Sequence, residues 1–371
     1  MFTRKCARIG WSLTLILGVV LAASAAAQPA PDALVKVIEG AKKEGTVTVI
    51  LSPEYGEESM TRLEKEIRER FGVALAIKYT PSGRMSKALA TAIMEHKMGA
   101  TPSYDLEYYS ANNIITGNRA GIFEQVDWKA LMTKDTPPEG LLPAPFNAPV
   151  TSTTDMILMY NPDKVSDDAV PRTLSELADP KWKGKVGVYN YPSKWSKWWL
   201  ILGKDKGQAA IQAILKNGAF QGGFSDLANR FLIGEIWMAI TQSNYLLVAQ
   251  SKGVPAKWVA LRDLVEADEG AVAVRKGAKN PNAAKLVAVY LASPAGSKFT
   301  LETAKYGNIH IPGNLDHDIV VEAKKQQIPV FFVARDPKFV EFASSKKYQD
   351  WMKEVRLTFE TWGSSKSKKK K

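Results

Sequence analysis

The sequence predicts an α/β protein with parallel strands, in a chain whose 371 residues suffice for two domains. Three observations carry that expectation. Strand, loop and helix patterns alternate three times between Thr46 and Asn112. A short basic and apolar leader precedes them. The only cysteine, Cys6, lies inside that leader, so the body must be held by its hydrophobic core.

The leader carries Arg4, Lys5 and Arg8, then the apolar run WSLTLILGVVLAA, then Ser24-Ala25-Ala26-Ala27 before Gln28-Pro29. Basic head, short apolar run and small-residue exit make residues 1–27 a secretory signal peptide cut after Ala27, with the product in the periplasm. The run is shorter than the ~20 residues that a spanning helix needs.

Asp32 to Lys43 reads as an amphipathic helix stopped by Gly45, and Thr46 to Leu51, TVTVIL, as a β-branched strand. The loop Ser52-Pro53-Glu54-Tyr55-Gly56 and a helix from Glu57 to Phe71 follow. A strand from Val73 to Tyr79 leads through Thr80-Pro81-Ser82-Gly83-Arg84 into a helix, Met85 to Met98, and a third strand, Tyr104 to Tyr108, ends at Tyr109-Ser110-Ala111-Asn112. Loops beyond the carboxyl ends of parallel strands face ligands, which selects these three loops. Leu141 to Thr154, rich in Pro and Thr without helical periodicity, reads as a crossing into a second lobe. Strands at Met156 to Tyr160 and Lys185 to Tyr189 bracket a small helix, Leu174 to Ala178, with Thr173 as N-cap. Helices at Gln208 to Lys216 and Asp226 to Ile233, a strand at Ile236 to Ile240 and a helix at Tyr245 to Lys252 complete that lobe. Pro281 opens a later helix, with Asn280 as its cap. Asp336 to Trp362 reads as terminal helices.

The formal charge of +12 is concentrated at the ends. Three basic residues lie in the leader and five in the tail (Lys366, Lys368 to Lys371), which leaves the body at +4. No basic patch interleaved with aromatic residues supports nucleic-acid binding, and the Ser/Lys tail, residues 363–371, is expected to be disordered. His96, His310 and His317 are the only histidines, and no nucleophile elbow, zinc-protease motif, phosphate loop or dinucleotide fingerprint is present. Nothing proposes a reaction, a cofactor or a metal site. Ser82, Gly83 and Arg84 at a helix start bring backbone N–H groups, a hydroxyl and a guanidinium together, a set suited to an anion. Tyr55, Tyr189, Tyr191 and Trp195 are expected to supply flat walls with polar edges, whereas Trp198 and Trp199 sit in an apolar helix and read as core. Ser52, Ser110, Gln242 and Asn244 add hydroxyl and amide groups at strand ends.

Two motif runs resemble a known family. The first is Tyr160-Asn161, Pro171-Arg172-Thr173-Leu174 and Pro180-Lys181-Trp182-Lys183-Gly184-Lys185. The second is Lys276-Gly277, Pro281-Asn282-Ala283-Ala284-Lys285 and Ser293-Pro294-Ala295-Gly296. Both resemble the periplasmic solute-binding proteins of ABC importers, in the cluster that carries ferric ion, thiamine, phosphonates and small organic acids. The resemblance implies a two-lobed type II fold, each lobe a mixed sheet flanked by helices, with two hinge crossings. Lobe 1 is then residues 32–150 plus 267–313, lobe 2 residues 151–266, and residues 314–362 a C-terminal helical segment. It implies a protein that captures a small solute between the lobes and delivers it to a membrane permease, without turnover; the donor set at Ser82 to Arg84 makes a small organic anion the expected solute, and a monomer is expected. Ferric relatives use an adjacent Tyr pair in the second lobe; here the adjacent pair, Tyr108-Tyr109, falls in the first lobe, and the second offers Tyr189 and Tyr191. A ferric-ion protein, an enzyme or transferase on the same fold, and a ligand-binding partner of a membrane sensor are the alternatives.

Overall fold

β1 (Thr46–Leu51) forms because its β-branched residues fit a pleated, buried surface, and Val47, Val49 and Leu51 are enclosed. A computed structural model describes this strand within residues 31–82 and 85–363; the leader and its cleavage point, Gly83, Arg84 and the Lys tail lie outside the described residues. β1 pairs in parallel with β2 (Ala76–Pro81), from Thr46↔Ala76 to Leu51↔Pro81, and with β3 (Leu106–Ser110). Each of these strands runs on into a loop or helix at its carboxyl end, as the alternating pattern requires.

β4 (Val150–Tyr160) is buried along its whole length and belongs to two sheets. Its first half pairs antiparallel with β9 (Val265–Val274), ending at Asp155↔Ala267. Its second half pairs with β7 (Met238–Gln242), beginning at Met156↔Gln242, and with β8 (Lys257–Val259). β5 (Val186–Tyr189) lies parallel to β7 and to β6 (Phe220–Gly222). β9 also pairs antiparallel with β3, and β10 (Val330–Phe332) pairs parallel with β9. The hydrogen-bonded path is therefore β2-β1-β3-β9-β4-β7-β5-β6. Two mixed sheets flanked by helices are joined where β4 crosses from one to the other, and the chain returns between β8 and β9.

Several local expectations need correction. The crossing expected at Leu141 to Thr154 is made by the continuous strand β4, whose Thr-rich first half is held by pairing with β9. The expected helix Leu174 to Ala178 shrinks to one 3-10 turn, Glu176–Ala178, although Thr173 Oγ1 does accept from the Glu176 N–H at 3.2 Å. Helix Pro281–Ala292 begins at Pro281, but the side chain of Asn280 donates instead to Asp105 at 3.1 Å. The free N–H groups of Asn282 and Ala283 are met by the Glu44 carboxylate at 3.2 and 2.7 Å, which ties the first helix, Asp32–Glu44, to this one. The C-terminal segment is not wholly helical, since it contributes β10.

Helix Lys346–Gly363 packs on helix Pro192–Leu202, with Trp351 edge-on to Trp199 at 6.0 Å and Phe359 beside Trp195 at 6.3 Å. Trp195, Trp198 and Trp199 are fully enclosed there. Arg275 is buried under the first sheet, bonded to Glu107 at 2.9 Å, Glu95 at 3.2 Å and the Ala92 carbonyl at 3.0 Å. Such a cation is tolerated because paired carboxylates compensate its desolvation. Among the described residues, no helix is long and apolar enough to cross a membrane.

Candidate functional site

Side chains alternate across a strand, and directly opposed residues of an antiparallel pair share a face. The register Thr154↔Asp268 and Ser152↔Gly270 therefore puts these four residues on one face of the crossing, and Thr153, Asp155 and Glu269 on the other. The first face opens toward the strand ends of both sheets. Tyr108 reaches over it from β3, its hydroxyl 3.0 Å from Ser152 Oγ. A Cβ at position 270 would run into that phenol ring, so Gly270 is what allows the approach. Gln242 donates to Thr154 Oγ1 at 2.9 Å from the end of β7.

Helices start where the parallel strands end, and residues at these starts lie near this face: Ser110 pairs with Gly270, and Lys194 reaches Asp268. Helix Ala111–Arg119 follows β3, Pro192–Leu202 follows β5, Phe224–Leu232 follows β6 and Asn244–Ser251 follows β7. None of these four starts has a side-chain cap. Elsewhere in the chain Asp127, Ser293, Asn314 and Asp336 cap helices, while helices Asp32–Glu44, Glu58–Phe71, Lys204–Lys216 and Pro281–Ala292 also start without a side-chain cap. Uncapped N-termini carry unpaired N–H groups and partial positive charge, which suit an anion. Beside them the side chains of Ser82 and Asn244 are buried with no hydrogen-bond partner, as is Asn112 Oδ1. Buried polar atoms are ordinarily paired, so these three groups are available to a ligand or to solvent.

Tyrosines close the site. Tyr306 Oη lies 3.2 Å from Ser52 Oγ, and Ser52 Oγ donates to Glu54 at 2.5 Å. Tyr79 donates to the Ser52 carbonyl at 2.9 Å, and Tyr245 pairs with Ser225 at 3.0 Å. Burial, then the negative charge of Glu54, raises Tyr79 to about 12. Tyr108, Tyr245 and Tyr306 are raised as well, chiefly by burial and with Glu54 adding to it. These hydroxyls therefore stay protonated and can donate. On the opposite wall Phe224 touches Tyr191 at 5.0 Å and Tyr245 at 6.1 Å between ring centres.

Two lysines anchor the floor. Lys194 Nζ lies 2.8 Å from Asp268 and 3.4 Å from Glu266; Lys197 Nζ lies 2.5 Å from Glu266 and 3.6 Å from Asp268. Trp198 Nε1 donates to Glu266 at 2.7 Å. Burial alone would raise Asp268, but Lys194 and Lys197 outweigh it and hold the carboxyl at about 2. Burial would likewise lower Lys194, and the two carboxylates reverse that, so both partners are charged.

The residues expected from sequence divide into groups. Ser52, Ser82, Ser110, Tyr191, Gln242 and Asn244 stand at the strand ends around the site, with Tyr191 the most exposed of them at 40 %. Tyr55 is turned inward, its hydroxyl 3.0 Å from Thr300 Oγ1. Tyr189 and Trp195 are fully buried and stacked at 4.9 Å behind Tyr191, with the Trp195 indole N–H donating to the Tyr189 carbonyl at 2.8 Å. They back the wall rather than line it. Gly83 and Arg84 lie outside the described residues. Glu54, Tyr79, Lys194, Phe224, Tyr245, Asp268 and Tyr306 were not singled out from sequence, and Tyr108 was noted only as half of the adjacent pair Tyr108-Tyr109. Tyr245 follows Asn244 at a strand end and Glu54 lies in a selected loop, so the strand-end rule reaches both; the remainder depend on register and packing. Among the described residues, no group of three or more His, Cys, Asp or Glu side chains is placed to hold a metal ion.

Two sheets joined by a crossing strand, with helix starts, hydroxyls and aromatic rings converging at the join, define a two-lobed solute-binding protein. The family model for bacterial extracellular solute-binding proteins matches residues 63–321, and the chain belongs to that family. The chain is 26% identical over 186 residues to the major ferric iron-binding protein of Neisseria meningitidis, which covers 46% of this chain and 56% of the relative. The matched stretch thus spans about half the length of that curated relative. The fold is similar to the substrate-binding protein of an ABC transporter from Agrobacterium tumefaciens, with TM-score 0.69 and 14% identity over 87% of this chain and 96% of that one. It is also similar to the periplasmic binding protein AfuA from Actinobacillus pleuropneumoniae with fructose-6-phosphate bound. There the TM-score is 0.61 and the identity 14%, over 85% of this chain and 99% of that one. These likenesses establish the type II, two-lobed fold.

Proposed function

We propose that this protein is the periplasmic substrate-binding component of an ABC importer, exported with loss of residues 1–27, and that it captures a small organic anion between its lobes. It then hands the anion to a membrane permease, acts as a monomer, and turns nothing over. The lobes on this reading are residues 32–150 plus 267–313 and residues 151–266, and the ligand shifts the open form toward the closed one.

The observation that carries the anion is the convergence of four helix starts without side-chain caps on one face of the crossing, beside the unpartnered groups of Ser82 and Asn244. The protonated hydroxyls of Tyr108 and Tyr245, whose serine partners can donate to them, add donors. The acid group belongs at Ser82, Gly83 and Arg84 and at the helix starts, and the body of the ligand against Tyr191, Phe224 and Tyr245. AfuA, with a phosphorylated sugar bound, is a precedent for this use of the fold.

A second reading, a ferric ion, is favoured by the tyrosines around Glu54 and by the Neisseria relative. Against it stands the placing of the tyrosines: the adjacent pair Tyr108-Tyr109 lies on β3 in the first sheet, and Tyr189 is fully buried in the second. A thermal-shift screen of carboxylates, phosphonates, phosphate esters, ferric complexes, amines and neutral sugars separates the two, and calorimetry on Arg84→Ala tests the acid site. The variant is expected to weaken an anionic hit about ten- to a hundredfold, the worth of one charge-assisted hydrogen bond. A hit confined to ferric complexes, amines or neutral sugars, or unchanged affinity in the variant, refutes the anion site. Consumption of the bound compound would favour an enzyme.

A further inference from the structure

The face of the crossing away from the site holds two buried carboxyl groups that the binding function does not use. Asp155 stands at the point where β4 leaves one sheet for the other, between the pairs Asp155↔Ala267 and Met156↔Gln242. Its side chain is fully enclosed, and neither carboxyl oxygen meets a hydrogen-bond donor. An ionised carboxylate can only accept, so a buried one with no donor and no cation is far from stable. Protonated, it becomes a donor and needs an acceptor. The neighbouring acceptor is Asp316, itself 1 % exposed, in the first turn of helix Leu315–Lys325. Asp316 Oδ1 accepts from the Asp155 backbone N–H at 3.0 Å and from Ser243 Oγ at 2.5 Å.

The segment leading to Asp316 lies along the same face. Thr153 N–H donates to the Gly307 carbonyl at 2.9 Å, and Ile309 N–H donates to Thr153 Oγ1 at 2.9 Å. Residues 307–316 thus splint the strand that the chain must bend when the lobes move. We propose that Asp155 and Asp316 share a single proton, and that this proton fastens the splint to the crossing strand, making the hinge a pH-sensitive lock. Loss of the proton leaves two buried anions side by side, which repel and release the splint.

The charges around the pair agree with this. Glu269 on β9 is the next acid, and it is bonded to His310 at 2.8 Å and to Arg335 at 2.7 Å rather than to Asp155. His317, on the helix of Asp316, has its Nδ1 2.9 Å from the Ile309 carbonyl. No described cation reaches the Asp155 carboxyl, in keeping with its lack of any partner. Burial first, then the charge of Asp316, raises Asp155 well above the usual carboxylate range. Burial also raises Asp316, to about 6, against the hydrogen bonds from Ser243 and the backbone. Both shifts are upward, so the folded state keeps a proton that the unfolded chain has lost. The stability from this pair is full below pH ~4 and declines as pH rises through the folded-state values.

The test compares Asp155→Asn with the parent by urea unfolding from pH 5 to pH 8. The amide donates to Asp316 without needing the proton, so the ratio of the variant's folding constant to the parent's is expected to rise about tenfold per pH unit over pH 5 to 7. Asp316→Asn serves as the second variant, with the same loss of pH dependence expected. Calorimetric unfolding of the parent at pH 7 in buffers of different ionisation enthalpy reads the proton directly, and release of about one more proton than from Asp155→Asn is expected. Amide exchange at Thr153 and Ile309 is expected to accelerate between pH 6 and 9 in the parent beyond the intrinsic rate, and not in the variant. A pH-independent stability ratio, equal proton release, or the same exchange in both proteins overturns the lock. So does a parent whose stability changes on adding a chelator, since a metal ion would then occupy the place of the proton.

Discussion

Replacing Asp268 by Asn removes one carboxylate from a buried set of two acids and two lysines, and leaves Lys194 and Lys197 facing Glu266 alone. The folded-state carboxyl sits at about 2, below the unfolded value near 4. That difference corresponds to about 2 to 3 kcal/mol of stability at neutral pH, at 1.36 kcal/mol per unit. Breaking a buried pair and stranding its partner costs roughly 3 to 5 kcal/mol in general. A loss of about 3 kcal/mol at pH 7, read by urea unfolding, is therefore expected. The sign of the pH effect follows from the depression. A depressed carboxyl contributes stability above its unfolded value and loses it as pH falls, so about half of the contribution is gone at pH 3 and nearly all below pH 2. The gap between parent and variant should close over that range. A cost below 1 kcal/mol at pH 7, or a gap that does not narrow by pH 3, would refute the idea that two lysines hold this carboxylate ionised.

Glu44→Gln weakens the only described carboxylate on the N–H groups of Asn282 and Ala283, and a loss of about 1 kcal/mol in thermal or urea unfolding is expected, as for a missing cap. Asn244→Ala removes a buried amide that has no partner, so stability should stay within about 1 kcal/mol of the parent. Calorimetry with the anion found by screening should show at least tenfold weaker binding; a variant that is badly destabilised yet binds normally would place Asn244 in the fold rather than the site.

The alternation of strand and helix was legible because β1 and β2 carry β-branched residues, β3 carries Leu and Tyr, and each is followed by a helix with its own periodicity. Helix starts at Asp32 and Pro281 were legible for the same local reason, the chemistry of first-turn residues. Strand-end loops, and with them Ser52, Ser82, Ser110, Gln242 and Asn244, follow from the rule that parallel sheets present their carboxyl ends to ligand. These are properties of short stretches, and short stretches carry them.

What required the tertiary structure were features made by residues far apart in the chain. The Thr-rich first half of β4 lacks the apolar signal of a strand and becomes one only because β9, more than a hundred residues on, supplies its hydrogen bonds. Trp195 and Tyr189 looked like exposed walls, yet helix Lys346–Gly363 covers the Trp195 side, which leaves Tyr191, Phe224 and Tyr245 as the candidate wall. Lys194 and Lys197 carry no motif in the sequence, and Glu266 and Asp268 of β9 meet them only in the fold. Asp155 and Asp316 are 161 positions apart and carry no shared motif. Which face of β4 and β9 carries Asp268 and which carries Asp155 is decided by strand register, and register is set by the whole sheet.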